Sequence, residues 1–494
     1  MRKSGKGSSN KIGSNAILLT GSKILVMLIS LITSMLLSRF RTLEEYGTYS
    51  QLTTVVNIAV SVFMLGLPNS LNYFYARADS TDEKDEFLSN YYSLATILSL
   101  IAGVALCIMI PFLQAFYSNT GILTYWFILA LLPWTKVLIN SRSNMLVAAG
   151  QTNRVISYNI LNGLFLLGII IFIRVANMSF YNYMIMYIVV EMLFGGAVYF
   201  GAHRLSEKLR FELNKKLIKL VLAYSIPIGL ATSVSTINRE LDKLVIGNLM
   251  NTEQLAIYSN AAKELPLVFI QQSFMAVLLP ALARMIKKER YKMATEIWGD
   301  TVEFCFIIMS FCVAAILVFA PQMMTILYSE RYLPGANIFR VYGLVLLWRT
   351  TYFGMLLNVT GHTKEIMYSS VASLVLNLIF NYTFYFIFGM IGPAIATFLS
   401  VGIVNITQLR FTSKIVHVPF KDIFPWKKLL VILCINLLAG AVVYGLVSIL
   451  ELGTSIKEIL CCIGIGIAWM TIYFLLMLKS LKQIWRKINV TEDD

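Results

Sequence analysis

The sequence predicts an all-α polytopic membrane protein with fourteen transmembrane helices, and three observations carry that reading. Of its 494 residues, 57% are apolar and only 14% are charged, against about 25% charged in ordinary soluble domains. Mean hydropathy is +0.72 over the whole length. The apolar runs are continuous over about twenty positions, enough for a helix to cross roughly 30 Å of hydrocarbon. Barrel strands would instead alternate apolar and polar over about ten.

Taken in order, the apolar segments are 12–38, 48–75, 88–112, 125–148, 154–174 and 181–202. They continue with 218–247, 254–282, 297–320, 337–359, 366–388, 391–411, 428–450 and 456–478. The first follows a basic N-terminus and is too long for a cleaved leader, so it reads as a retained helix. The connecting loops are short and leave no room for a soluble domain. The outer ones contain no histidine, which argues against a membrane polymerase, ligase or acyltransferase; the chain reads as a non-enzyme.

Charge gives the orientation. Of 41 Lys and Arg, twenty-nine fall in or beside the segments that face inside when both termini are cytoplasmic. Five lie outside: Arg39, Arg41, Arg174, Arg331 and Lys457. This is the positive-inside pattern. The net charge of +15 is therefore a topology signal and not a nucleic-acid surface. Its densest parts, 203–219 and 284–292, also suit acidic membrane lipids or a partner. The six cysteines all sit in apolar runs and read as small buried hydrophobes. The three histidines lack metal-ligand spacing, and no P-loop occurs. No metal or cofactor is expected.

Seven cations remain inside spans: Lys23, Lys136, Arg239, Lys243, Lys263, Arg340 and Arg349. Each costs roughly 2.5–3.5 kcal/mol at helix centre on the insertion scale, so such charges face one another or a wet cavity. The intramembrane acids are fewer: Glu191, Glu240, Asp242 and Glu264, with Glu303 near an inner end. Arg239 with Asp242 and Glu240 with Lys243 are spaced to pair on one helix face. Arg340 lies where it can snorkel outward. The cationic excess suits a large anionic substrate, with phosphate or pyrophosphate the natural group. Glu191, Asp242, Glu264 and Glu303 are candidates for coupling to a proton or sodium ion, and the absence of coupling stays open.

Two stretches repeat at one offset. TLEEYGTYS (42–50) aligns with NTEQLAIYS (251–259), and MLVAAGQTN (145–153) with MLLNVTGHTK (355–364), placing Gly150 over Gly361. The offsets, 209 and 211, imply two duplicated six-helix halves of like orientation, followed by two added helices. The expected boundaries are 1–204, 205–415 and 416–494. Parallel repeats of this kind hold substrate between the halves near the midplane.

The stretches SRFRTLEEYGTY (38–49), LGLPNSLNYFYAR (65–77), YSIPIGLATSV (224–234), LDKLVIGNLM (241–250) and AIYSNAAKEL (256–265) make the resemblance specific. The chain resembles the Wzx-like oligosaccharide flippases, the polysaccharide-transporter branch of the MOP superfamily, which also holds MATE exporters and lipid II flippases. That resemblance implies a V-shaped, MATE-like pair of six-helix bundles around a cationic cavity lined by helices 1, 2, 7 and 8. It places Lys23, Arg239, Asp242, Lys243, Lys263 and Glu264 there, with Pro68 and Asn69 as further candidates. It implies an undecaprenyl-pyrophosphate-linked oligosaccharide repeat unit as substrate, moved outward across the bacterial cytoplasmic (inner) membrane. Cell-surface polysaccharide biosynthesis then supplies a polymerase and a chain-length regulator as partners. Lipid II flippases carry arginines early in helix 1, where this chain has only Lys23, so a dedicated lipid II role is disfavoured. Lys23, Lys263 and Arg349 are expected to neutralise pyrophosphate, with Lys136 a further cavity cation. Asn57, Asn69, Asn377, Asn381 and Tyr258 are expected to meet sugars, although for Asn377 and Asn381 interhelical hydrogen bonding is an equal reading. The competing class is an ion-coupled multidrug exporter, whose cationic substrates call for an acidic cavity.

Overall fold

The computed structural model describes residues 5–75, 77–203, 206, 208–263 and 265–490. Those residues are helical, with no strand among them. In the first half the helices are α1 (Gly5–Phe40), α2 (Leu43–Phe63), α3 (Leu67–Ser70), α4 (Thr81–Ile108), α5 (Ile110–Tyr117), α6 (Trp126–Ala148), α7 (Thr152–Val175) and α8 (Phe180–His203). Next come α9 (Lys215–Leu249), α10 (Thr252–Ala261), α11 (Val268–Lys287), α12 (Tyr291–Leu327), α13 (Ala336–Trp348) and α14 (Met355–Val359). The chain closes with α15 (Thr363–Phe388), α16 (Gly392–Ile415), α17 (Trp426–Ile449) and α18 (Ile456–Val490).

Among the described residues, eleven helical stretches are long and apolar enough to cross a membrane, or twelve if the bent pair α2–α3 counts as one span. The expectation was fourteen. The difference arises where apolar segments are not single straight helices. The segment 337–359 is split into α13 and α14 and supplies no span, and 48–75 is the bent pair. The stretch Thr363–Ile415 contains both α15 and α16.

Local devices recur at the offset seen in the sequence. Thr42 caps α2: its hydroxyl accepts from Glu45 N while the Glu45 carboxylate accepts from Thr42 N. Asn251 and Gln254 make the same reciprocal pair ahead of α10, a capping box in both places. The 3₁₀ turns Thr120–Tyr125 and Glu330–Gly335 lead into α6 and α13. Gly150 and Gly361 both take positive φ, +71° and +81°, the left-handed conformation that ends a helix at least cost with glycine.

The chain packs as two compact units, residues 1–256 and 257–494. The sequence boundary was drawn at 204/205, but α9 packs on α2, α3, α4 and α5 of the first unit. Its fit is set by glycine. A Cβ on Gly229 would lie 2.1 Å from the Leu65 carbonyl carbon, and one on Gly66 would lie 2.5 Å from Gly229 N. Leu65 and Gly66 both have positive φ, which breaks the helix between α2 and α3. The break takes the Leu65 N–H away from the Ser61 carbonyl, and the Ser233 hydroxyl of α9 donates to that carbonyl instead (2.7 Å).

In the second unit α12 is the central element, with α11, α13, α17 and α18 packed on it. Asn436 of α17 donates to Ser310 Oγ of α12 and to Tyr473 Oη of α18, both at 3.0 Å. Arg340 has a structural task that the snorkelling expectation missed. Pro321 has no N–H, so it leaves the Leu317 carbonyl of α12 without its helical donor, and the helix kinks at Phe319. Arg340 Nε donates to that carbonyl at 2.9 Å, and its Nη1 to Asn337 at 2.7 Å. Arg340→Met should therefore cost about 1–3 kcal/mol, the penalty of an unsatisfied buried acceptor. Thermal unfolding of the purified protein checks this, and an unchanged midpoint would contradict it.

Candidate functional site

Helix breaks at membrane depth are tolerated only where the freed backbone is buried in protein or lines a cavity. Two such breaks in the second unit each carry a predicted cation. Pro266 ends the run after α10, since it lacks an N–H and restricts the residue before it. Lys263 lies in the break between α10 and α11, its N–H bonded to the Asn260 carbonyl at 3.3 Å. Arg349 is the C-cap of α13, where the negative end of the helix dipole favours a cation. The backbone freed beyond α13 is held by side chains: Asn405 Nδ2 donates to the Trp348 carbonyl (3.0 Å). Trp298 Nε1 fixes the same break by donating to Thr351 Oγ1 (2.9 Å).

Lys263 and Arg349 line one cavity together with Phe339 and Tyr342. Tyr258 is fully buried and its ring meets Tyr342 edge-on at 6.3 Å. It therefore supports the cavity wall and is not an exposed sugar contact, a correction to the expectation. The cavity holds about 20 Å³, roughly the room of one water. As it stands, the cavity is too small for a pyrophosphate.

The first unit holds two further charge clusters. On α9, Lys243 Nζ reaches Glu240 Oε2 at 2.8 Å, the pair expected from spacing. Asn57 Nδ2 and Thr54 Oγ1 of α2 donate to the same carboxylate, each at 3.3 Å. Lys243 and Asn57 are thus committed to an α2–α9 contact. Of the other expected pair, Arg239 is exposed and donates to Thr236 Oγ1 at 3.5 Å, and Asp242 is 2% exposed. The second cluster surrounds Glu191 of α8, also buried. Lys136 of α6 lies within electrostatic reach of its carboxyl, with Asn162 of α7 beside it. Tyr49, Tyr158, Tyr183 and Tyr187 also lie within electrostatic reach of it. Lys136 therefore faces an acid and is not a bare cavity cation.

The remaining candidates separate. Lys23 is exposed on α1 and Asn69 is half-buried beside the α2–α3 break. Asn377 and Asn381 are buried in the α15–α16 seam: Asn381 Nδ2 donates to Asn377 Oδ1 at 2.9 Å, and Ser400 to the same oxygen at 3.3 Å. The interhelical reading holds for them, and the sugar-contact reading is corrected. Glu303 is bonded by Lys428 of α17 at 2.6 Å, with Asp300 3.7 Å from the same ammonium, which ties α17 to α12. Glu264 lies outside the described residues. What sequence reasoning missed is the helix breaks. For α2–α3 and α10–α11 the signals were present in L-G-L-P (65–68) and E-L-P-L (264–267), proline-interrupted segments in corresponding helices of the two halves; the break at Arg349 has no proline to announce it.

A multi-pass bundle of apolar helices, with breaks that carry half-buried cations, defines the class as a polytopic membrane protein, and solved structures agree on the fold. The lipid II flippase MurJ in an inward closed conformation superposes with a TM-score of 0.68 at 15% identity, over 94% of this chain and 99% of that one. An inward-facing MATE-family multidrug transporter of the MOP superfamily gives 0.65 at 17% identity, over 82% and 99%. A sequence profile of the polysaccharide biosynthesis protein family matches residues 12–286, and the chain belongs to that family. Among curated relatives, an uncharacterized membrane protein of Methanocaldococcus jannaschii is 23% identical over 411 residues, 77% of this chain and 78% of its own length. The capsular polysaccharide biosynthesis protein CapF of Staphylococcus aureus is 22% identical over 260 residues, 51% of this chain and 65% of its own. The resemblance is borne out for the polysaccharide biosynthesis family, and the fold is one shared with the MOP-superfamily structures.

Proposed function

We propose that this protein is a flippase that carries prenyl-pyrophosphate-linked oligosaccharides, undecaprenyl-linked in bacteria, across the cytoplasmic membrane by alternating access. The observation that carries this reading is the pairing of Lys263 and Arg349 at two helix breaks around one cavity. The physical obstacle to transport is a dianionic sugar-bearing head that cannot cross about 30 Å of hydrocarbon unaided. Two cations held on unwound backbone offer charge-assisted contacts to pyrophosphate oxygens. Arg349 suits a bidentate grip and Lys263 a point contact. Lys23 and Arg239, both exposed, are the further cations that the head group meets. The prenyl tail stays in lipid throughout.

The same reading keeps both termini cytoplasmic, with fourteen helices arranged as repeats 1–204 and 205–415 plus the added segment 416–494. The matched caps and turns at offsets near 210 support it. Glu191 is the candidate for coupling to a proton or sodium ion, because it is a buried carboxyl within electrostatic reach of Lys136. The outer product is of the class that a polymerase and its chain-length regulator consume.

The experiment uses proteoliposomes holding a prenyl-pyrophosphate oligosaccharide with a fluorescent sugar. Wild-type protein is expected to move it between leaflets. No movement, together with uptake of a small cationic dye, would overturn the reading in favour of a drug exporter.

A further inference from the structure

The segment that joins α8 to α9 is laid along α4 as an extended strap. Arg210 N donates to Ser89 Oγ at 3.2 Å and Glu212 N to Ser93 Oγ at 3.0 Å, and Asn214 N donates to Asn90 Oδ1. Asn214 then caps α9 by accepting from Lys216 N and Leu217 N. These bonds fix where α9 begins and hence where Lys215 and Lys219 point. The two lysines are one turn apart on the same face. Both are exposed, and among the described residues neither enters an ion pair. The nearby acids are engaged elsewhere: Glu212 with Arg210, and Glu86 with Asn214 Nδ2.

Below the lysines the strap, α4 and α9 enclose a groove of about 670 Å³. Its walls are Leu94 and Ile97 of α4, Leu213 of the strap, and Ile218, Leu222 and Ile226 of α9. From Lys215 to Ile226 the helix rises about 16 Å at 1.5 Å per residue. That matches one leaflet, about half of 30 Å. The groove is therefore cationic at the rim, apolar along its length and one acyl chain deep.

We infer that this groove is a binding site for an anionic phospholipid of the cytoplasmic leaflet. The headgroup phosphate sits between Lys215 and Lys219, and one acyl chain lies along Leu94, Ile97, Leu222 and Ile226. The inference uses the positive-inside orientation but not the identity of the transported substrate. It gives part of the basic segment 203–219 a ligand beyond its topological role. It also places that lipid on the strap joining the two sequence halves.

Native mass spectrometry of the full chain, released from detergent with added phosphatidylglycerol or phosphatidylcholine, tests it. Each lysine near an anionic headgroup is worth about 1 kcal/mol, roughly fivefold. Lys215→Ala/Lys219→Ala should thus weaken phosphatidylglycerol binding roughly 25-fold and leave phosphatidylcholine binding unchanged. Ile226→Trp, which fills the groove at an exposed position, should also remove the bound lipid while both lysines remain. Lys287→Ala/Lys288→Ala, in the other basic cluster, should not. Phosphatidylglycerol retained by either groove variant, or lost equally from the Lys287/Lys288 variant, would overturn the site. So would groove variants that lose a prenyl pyrophosphate but keep phosphatidylglycerol, since the groove would then belong to the substrate. Thermal midpoints within a degree of wild type certify that the variants are folded.

Discussion

Arg349→Ala is expected to slow leaflet-to-leaflet movement of a prenyl-pyrophosphate oligosaccharide by roughly 10- to 150-fold. That range follows from about 1.5–3 kcal/mol for a charge-assisted hydrogen bond. Lys263→Ala should have an effect of similar size, because both side chains line the same cavity. Arg349→Lys should fall between Ala and wild type, since it keeps the charge but loses the planar fork. The two sites share a ligand, so their effects should not simply add. The measurement is transport rate in proteoliposomes at matched amounts of folded protein. Wild-type rates in both alanine variants would remove these cations from the substrate path.

The second large effect is structural. Gly229→Ala puts a Cβ within 2.1 Å of the Leu65 carbonyl carbon and 2.4 Å of Gly66 N. Both obstacles are backbone, and Gly66 in turn has no room to retreat, because it sits against Ser225 O and Gly229 N. Overpacking a core commonly costs about 1–3 kcal/mol, and a backbone clash that cannot be relieved by a rotamer change belongs at or above the upper end. Gly168→Ala is the control, with nothing within 4 Å of the added carbon. The expected result is a large loss of folded yield and thermal midpoint for Gly229→Ala and none for Gly168→Ala. Equal stability of the two variants would contradict the close α2–α9 approach.

How much of this was legible in the sequence depends on what kind of physics fixes each feature. Hydropathy and charge sorting are written residue by residue, so the helical membrane class and the orientation signal could be read directly. The capping pairs Thr42–Glu45 and Asn251–Gln254 are local, so the repeat offset was visible as well. Breaks were harder to see: 263–267 and 349–354 hold charged, polar and proline residues, but strongly apolar residues flank them closely on both sides, so a hydropathy window runs over them and counts one span. Partner choice was out of reach. Nothing in the spacing says that Lys428 will meet Glu303, that Arg340 will serve the carbonyl freed by Pro321, or that Lys136 will face Glu191. Those contacts join residues 125, 23 and 55 positions apart, through packing that only the fold decides. Helix counting puts Lys23, Lys136, Lys263 and Arg349 at midplane depth, and of these Lys263 and Arg349 line one cavity.

The proposed transport rests on cation recognition of pyrophosphate at that cavity. The most direct measurement compares transport of two otherwise identical fluorescent lipids, one with a prenyl-pyrophosphate linkage and one with a neutral ether linkage. Each is measured with wild type and with Lys263→Gln/Arg349→Gln. Wild type should prefer the pyrophosphate lipid by at least roughly 100-fold, the equivalent of about 3 kcal/mol of charge-assisted contact. The double variant should lose most of that preference. A preference that survives intact in a folded double variant would contradict the account.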